Sequence, residues 1–296
     1  MARGISVLFI IGLILLSSNS QAQDFEKVEV ITQHLAGPVH MLQGAGGNVG
    51  ISAGKDGVLI IDDEFEPLVD KIKAAIEVIQ PGPIQFVLNT HWHGDHTGGN
   101  KAMAEESVII AHNNVRTRLA EEQFMTFLNR SVPAAHEAAW PVITFENSIS
   151  IHFNDEEIKI WHKPSGHTDG DSIVYFTKSN VLHTGDLFFN GMFPFIDLSS
   201  GGSVDGYIKN VYHLLATINS DTIIIPGHGP VATYNDLRTF KDMLEQTSQY
   251  VHTALKKGLS VEEIQSIGLA ATWKDWPWAF ISTNQWIQII AEDYKA

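Results

Sequence analysis

From residue 23 onward, short unbroken apolar runs alternate with longer stretches in which apolar residues recur every three or four positions. Val58 to Ile61 is a compact apolar run closed by Asp62 and Asp63, and Phe86 to Leu88 is another, closed by Asn89 and Thr90. Between them Leu68, Val69, Ile72, Ile76 and Ile79 fall at helical spacing, and Pro81, Gly82 and Pro83 end the pattern. This is a strand, helix, strand unit. Further strands are predicted at Glu157 to Trp161, Ile173 to Phe176, Val181 to His183 and Thr222 to Ile225. Helices are predicted at Val204 to Ile218, where Val204, Ile208, Val211, Leu215 and Ile218 share a face, and at Asp236 to Lys257 with Gly258 as its stop. Ser260 and Glu263 form a capping box that opens one more short helix. No linker or low-complexity stretch divides residues 23–296, so the pattern predicts one α/β domain with helices over the sheets.

The first residues follow a different rule. Arg3 precedes an apolar run from Ile5 to Leu16, and Ser20 and Ala22 supply the small residues that a signal peptidase reads. The run is short for a membrane span. Residues 1–22 are therefore expected to be a signal peptide cleaved after Ala22, leaving a periplasmic or secreted protein with no membrane segment.

Composition narrows the chemistry. The chain of 296 residues has no cysteine, which excludes disulfides, thiolate metal ligands and a cysteine nucleophile. Its 19 Lys and Arg against 34 Asp and Glu give a net charge of −15, unfavourable for nucleic-acid binding. A small molecule is the expected partner. What stands out is 14 histidines in so acidic a chain.

Five of them sit where predicted strands end, three of these directly beside glycine. Directly after the Phe86 to Leu88 run come His91, Trp92, His93, Gly94, Asp95 and His96, four ligand-type side chains within six residues. Neutral imidazole and carboxylate are the groups zinc accepts when thiolate is absent. Gly166–His167, Gly185–Asp186 and Gly227–His228 each add one ligand type at a later strand end, where α/β folds assemble their sites. Five histidines and two aspartates exceed one tetrahedral zinc and suit two metals sharing a bridge. The other nine histidines lie outside this pattern and are read as structural or surface residues.

Taken in this order, the four punctuations resemble the metallo-β-lactamase fold superfamily, from the Asp62 strand end to His228. The resemblance implies an αββα sandwich and two Zn²⁺ ions. It makes His91, His93 and His167 ligands of the first, and Asp95, His96 and His228 ligands of the second. Asp186 takes the position whose carboxylate bridges both metals in glyoxalase II-like members, and Asp62 that of an acid behind the ligands that fixes their loop. Asp95 is also the candidate catalytic residue. Zinc-bound hydroxide attacking a carbonyl is the implied reaction.

The aromatic run from Phe188 to Phe195 follows Asp186 directly, so Asn190 and Phe193 are candidate substrate contacts. Trp92 reads as a packing anchor, and Trp273, Trp276, Trp278 and Trp286 as core, with a cleft wall as the alternative. Ser199 to Ser203 reads as a flap by composition alone. The export signal favours hydrolysis of a β-lactam-type cyclic amide, whereas the carboxylate at Asp186 favours a glyoxalase II-like thioesterase or a lactonase. A non-catalytic exported zinc-binding accessory protein would use the same ligands.

Overall fold

The computed structural model describes residues 24–295, so the expected signal peptide lies outside the described residues. In chain order the elements are β1 (Ile31–Ala36), β2 (Val39–Gln43), β3 (Val49–Gly54), β4 (Gly57–Ile61), α1 (Val69–Ile79), β5 (Ile84–Leu88), the single turns α2 (Gly94–Thr97) and α3 (Asn100–Met103), β6 (Val108–His112) and α4 (Asn113–Ala120). There follow β7 (Gln123–Met125), β8 (Arg130–Val132), β9 (Ile143–Phe145), β10 (Ser148–Phe153), β11 (Glu156–His162), β12 (Ser172–Phe176), β13 (Val181–His183), α5 (Val204–Thr217), β14 (Ile223–Ile225), α6 (Tyr234–Lys256), α7 (Val261–Ile267) and α8 (Thr283–Asp293).

Two sheets face each other. One runs β1-β2-β3-β4-β5-β6-β9 and the other β10-β11-β12-β13-β14, while β7 and β8 form a separate hairpin. The continuous apolar run of β4 is explained by burial on both faces. Leu59 and Ile61 point inward and meet Ile158, Ile160, Val174 and Ile225 of the opposite sheet. Val58 and Ile60 point outward against Ile72 and Ile76 of α1. On the second sheet Ile173, Leu182 and Ile224 pack outward against α5, α6 and α8. The result is the expected αββα sandwich.

Pairing is antiparallel from β1 to β4, then parallel through β4-β5-β6-β9, and parallel again between β13 and β14. Parallel pairing brings consecutive strand ends to one edge. There β4 delivers Asp62, β5 delivers the His91 to His96 loop, β13 delivers Asp186 and β14 delivers His228. Helix α6 begins two residues before the expected Asp236, because the Thr233 hydroxyl accepts from the Asp236 N–H while the Asp236 carboxylate accepts from Thr233. It stops where expected, with Gly258 at φ +88°. Among the described residues no helix is long and apolar enough to cross a membrane.

Trp286 of α8 is fully buried; its indole N–H donates to Thr247 Oγ1 at 3.0 Å and its ring stacks on Phe193. Trp286→Ala leaves a cavity between α6 and α8 and removes the donor to Thr247 Oγ1, whose hydroxyl keeps its bond to the Met243 carbonyl, and should cost about 3–5 kcal/mol in urea unfolding at fixed metal concentration.

Candidate metal centre

The seven ligand-type residues converge. His91, His93 and His167 form one set and Asp95, His96 and His228 another, the ligand atoms within each lying within 4.8 Å of one another. Asp186 stands between the sets. Its Oδ2 is 3.8 Å from His91 Nε2 and 3.4 Å from His167 Nε2, while its Oδ1 is 3.1 Å from His96 Nε2 and 3.5 Å from His228 Nε2. Each set draws on both sheets.

Outer partners decide which imidazole nitrogens face inward. Thr90 Oγ1 donates to Asp62 Oδ2, so the contact between Thr90 Oγ1 and His91 Nδ1 at 3.0 Å places the histidine proton on Nδ1. His93 Nε2 donates to Asp197 Oδ2 at 3.1 Å, His167 Nδ1 to the Phe195 carbonyl at 2.7 Å, and His96 Nδ1 to Asp62 Oδ2 at 2.8 Å. With their protons so claimed, His93 Nδ1 and His167 Nε2 turn lone pairs toward each other across 2.8 Å. His96 Nε2 stands 3.1 Å from Asp186 Oδ1; burial opposes charge on this imidazole, but Asp186, Asp95 and Asp62 outweigh it and raise it well above the ordinary histidine range. Facing lone pairs repel, and buried His91 Nε2, His96 Nε2 and Asp186 Oδ1 have no hydrogen-bond partner. A cation at the focus of each set removes both defects, and the donor set of imidazoles and carboxylates fits a divalent metal ion.

Charge distribution agrees. Burial holds the imidazoles of His91 and His167 well below the ordinary histidine range, His167 at about 4, so both are neutral ligands at pH 7. In the second set burial also opposes charge, but Asp186 and Asp95 outweigh it and raise His228 to about 9. Burial works against ionised Asp186, yet the surrounding imidazoles hold it well below the usual carboxylate range. The centre is built to gather positive charge.

The corner after β4 supports the second set. Asp62, Asp63 and Glu64 are fully buried, and Asp62 and Glu64 adopt φ of 64° and 55°, unusual for residues other than glycine. Asp62 accepts from the Thr90 N–H as well as from His96, tying the β4 corner to the His91–His96 loop. Glu64 Oε2 accepts from the N–H groups of Ala45 and Gly46, which seats the 44–48 turn against the site. At Gly47 a Cβ would lie 2.1 Å from the His96 ring, so only glycine admits that ring.

Above the ligand cluster is a cleft of about 400 Å³, with His93, Asp95, Asp186 and His228 on its floor and Trp92, Met125, Leu128, Phe189, Phe195 and Trp278 among its walls. The two expected substrate contacts do not line it. Phe193 is fully buried against Trp286, because the run after Asp186 turns this ring into the helical layer. The Asn190 side chain donates to the Pro230 carbonyl, and its backbone N–H donates to the His228 carbonyl. Of the C-terminal tryptophans, Trp273 and Trp286 are core and Trp278 is a cleft wall; Trp92 is buried and borders the cleft as well. The Ser199 to Ser203 segment starts in a turn whose Ser199 and Ser200 hydroxyls both donate to Asp197, which is not the arrangement of a free flap.

Three residues behind the ligands are absent from the sequence reading: Glu64, Asp171 and Asp197. Asp171 accepts from the backbone N–H of His167 and Thr168 and from the Thr168 hydroxyl, and burial pushes its carboxyl up to about 8. Asp197 carries the one available signal, an acid closing an apolar run as Asp62 does.

A two-sheet sandwich with a His/Asp cluster able to hold metal ions at one sheet edge defines a class of metal-dependent hydrolases. The chain belongs to the metallo-β-lactamase superfamily, whose family model matches residues 43–228. It is 27% identical over 180 residues to a hydroxyacylglutathione hydrolase of Pelagibacter ubique, covering 54% of this chain and 64% of that protein. To a metallo-β-lactamase type 2 of Bacteroides fragilis it is 22% identical over 197 residues, covering 67% and 71%. Among solved structures, the sec-alkylsulfatase Pisa1 from Pseudomonas sp. superposes with a TM-score of 0.67 at 15% identity, over 90% of this chain but half of that one.

Two outcomes follow. Asp62→Asn keeps the left-handed corner but offers an amide where His96 needs an acceptor, and should weaken metal retention about 10–100-fold in chelator competition. Phe193→Ala should lower stability by about 3–5 kcal/mol with KM unchanged, whereas Phe195→Ala should raise KM.

Proposed function

We propose that this superfamily metallo-hydrolase is an exported enzyme that holds two zinc ions and opens a β-lactam-type cyclic amide. The supporting observation is the character of the cleft: mostly aromatic and aliphatic walls over the ligand cluster, with Arg130 its one lysine or arginine. A compact ring with an apolar body and a single carboxylate matches that lining better than the strongly polar tripeptide of a glutathione thioester. The N-terminal run ending at Ala22 adds support, since β-lactams act outside the cytoplasm.

The residues divide the work. His91, His93 and His167 would hold the first zinc and Asp95, His96 and His228 the second, with Asp186 reaching both. Bound there, zinc acts as a Lewis acid, polarising a carbonyl and making a ligated water acidic near neutral pH. Asp95 is partly exposed on the cleft floor, with Oδ2 3.3 Å from His228 Nε2. From that position its carboxylate can orient the attacking water and accept its proton. Trp92, Phe195 and Trp278 exclude bulk water around the reacting carbonyl. A thioester or lactone hydrolase is the second reading, favoured by Asp186, because a carboxylate rather than a thiolate reaches both sets.

The deciding measurement is a panel of nitrocefin, a carbapenem, S-lactoylglutathione and a homoserine lactone with purified zinc-loaded protein. Turnover of the first two is expected, and His93→Ala or Asp186→Ala should abolish it. Turnover of the thioester or lactone alone would select the second reading, and turnover of none would favour a zinc-binding accessory role.

A further inference from the structure

Phe195 to Ser200 forms a collar on the first ligand set. The Phe195 carbonyl accepts from His167 Nδ1, the Asp197 N–H donates to the His167 carbonyl at 2.9 Å, and Asp197 Oδ2 accepts from His93 Nε2. Asp197 Oδ1 faces the other way and accepts from the Ser199 hydroxyl at 2.5 Å. Ser199 Oγ in turn accepts from the N–H of Thr126 at 3.3 Å.

Thr126 belongs to the loop between β7 and β8, the hairpin whose Met125, Leu128, Arg130 and Val132 border the cleft. The root of the hairpin is fixed. Arg118 makes a two-pronged contact with Asp169 at 2.7 and 2.8 Å and donates to Gln123 Oε1 at 2.8 Å. The tip rests on the collar through Ser199 and through the Phe127 ring, 5.1 Å from that of Phe195. Between the tip, the collar and α8 a cavity of about 210 Å³ is bounded by Phe127, Leu198, Ile289 and Glu292. The cavity leaves the tip room on its α8 side, and a shift of the tip would pull on the collar through Ser199 and through the Phe127–Phe195 contact.

We infer that Ser199 is a positioning residue that couples the hairpin over the cleft to the orientation of metal-binding His93. The inference rests on the metal-hydrolase reading of the centre. A metal that fixes His93 fixes Asp197, Ser199 and the hairpin tip. By linkage, a substrate that presses on the hairpin alters first-site metal affinity by the same factor. A hydroxyl 2.5 Å from the carboxylate that orients a ligand is therefore expected to act on metal affinity about as strongly as the carboxylate's own contacts, roughly tenfold.

Amide hydrogen exchange on the full chain, with and without zinc, tests this. In the wild type, zinc should slow exchange across 126–129; in Ser199→Ala this protection should vanish, and Ser199→Thr should restore it. Cobalt-loaded Ser199→Ala should show shifted d–d bands and about tenfold faster loss of the first-site ion. Thr126→Pro, which removes the N–H without touching Asp197, should abolish the protection and provides the check if Ser199→Ala does not fold. Protection and cobalt spectra identical to the wild type in a folded, metal-loaded Ser199→Ala protein would overturn the coupling alone. A wild type that binds neither zinc nor cobalt would overturn the metal reading together with the coupling.

Discussion

The structure depends on where four imidazole protons are held. Thr90, Asp197, Phe195 and Asp62 each take the outward N–H of a histidine, leaving His91, His93 and His167 with inward lone pairs and His96 Nε2 facing Asp186 and Asp95. Such convergence is unfavourable for a bare protein and is tolerated because every outer acceptor is itself held by the fold. Asp62 is fixed by the β4 corner and Asp197 by the serines that follow it. The strain of the buried, left-handed Asp62 and Glu64 is in keeping with this, since unfavourable backbone persists only where the surroundings over-determine it.

How much of this was legible in sequence depends on the range of the interactions. Val58 to Ile61 and Ile173 to Phe176 stand out because strands buried on both faces must be continuously apolar, and the helices because one face repeats every three or four residues. The ligands stand out because glycine and histidine coincide at strand ends. The hairpin at 123–132 escaped because its strands have three residues each, too few for alternation to register. Phe193 and Phe195 differ in environment although only two positions apart, since Phe193 is held by Trp276, Trp278 and Trp286 and Phe195 packs on Phe127 and Phe280, all distant in sequence. Glu64 and Asp171 act through contacts closed only by the tertiary fold, and no local spacing marks them, whereas Asp197 closes an apolar run as Asp62 does.

The same separation explains why the ligand cluster reads more clearly than the substrate. Metal coordination needs particular atoms, and those atoms belong to few residue types. A cleft wall needs only apolar area, which leucine, phenylalanine or tryptophan supply equally, so the residues that select a substrate look in sequence like residues of the core. That the chain is similar both to a protein named a hydroxyacylglutathione hydrolase and to one named a metallo-β-lactamase is in line with this.

Each ligand set takes two members from the β5 end of one sheet and one from a β11 or β14 end of the other. Neither set exists until two halves of the chain, more than seventy residues apart, have docked. A metal ion could therefore not nucleate folding by filling either set, because each set would be complete only in the finished sandwich. The ion that such a site takes up would then be set by the metal supply where folding is completed, and not by a preference expressed in the unfolded chain.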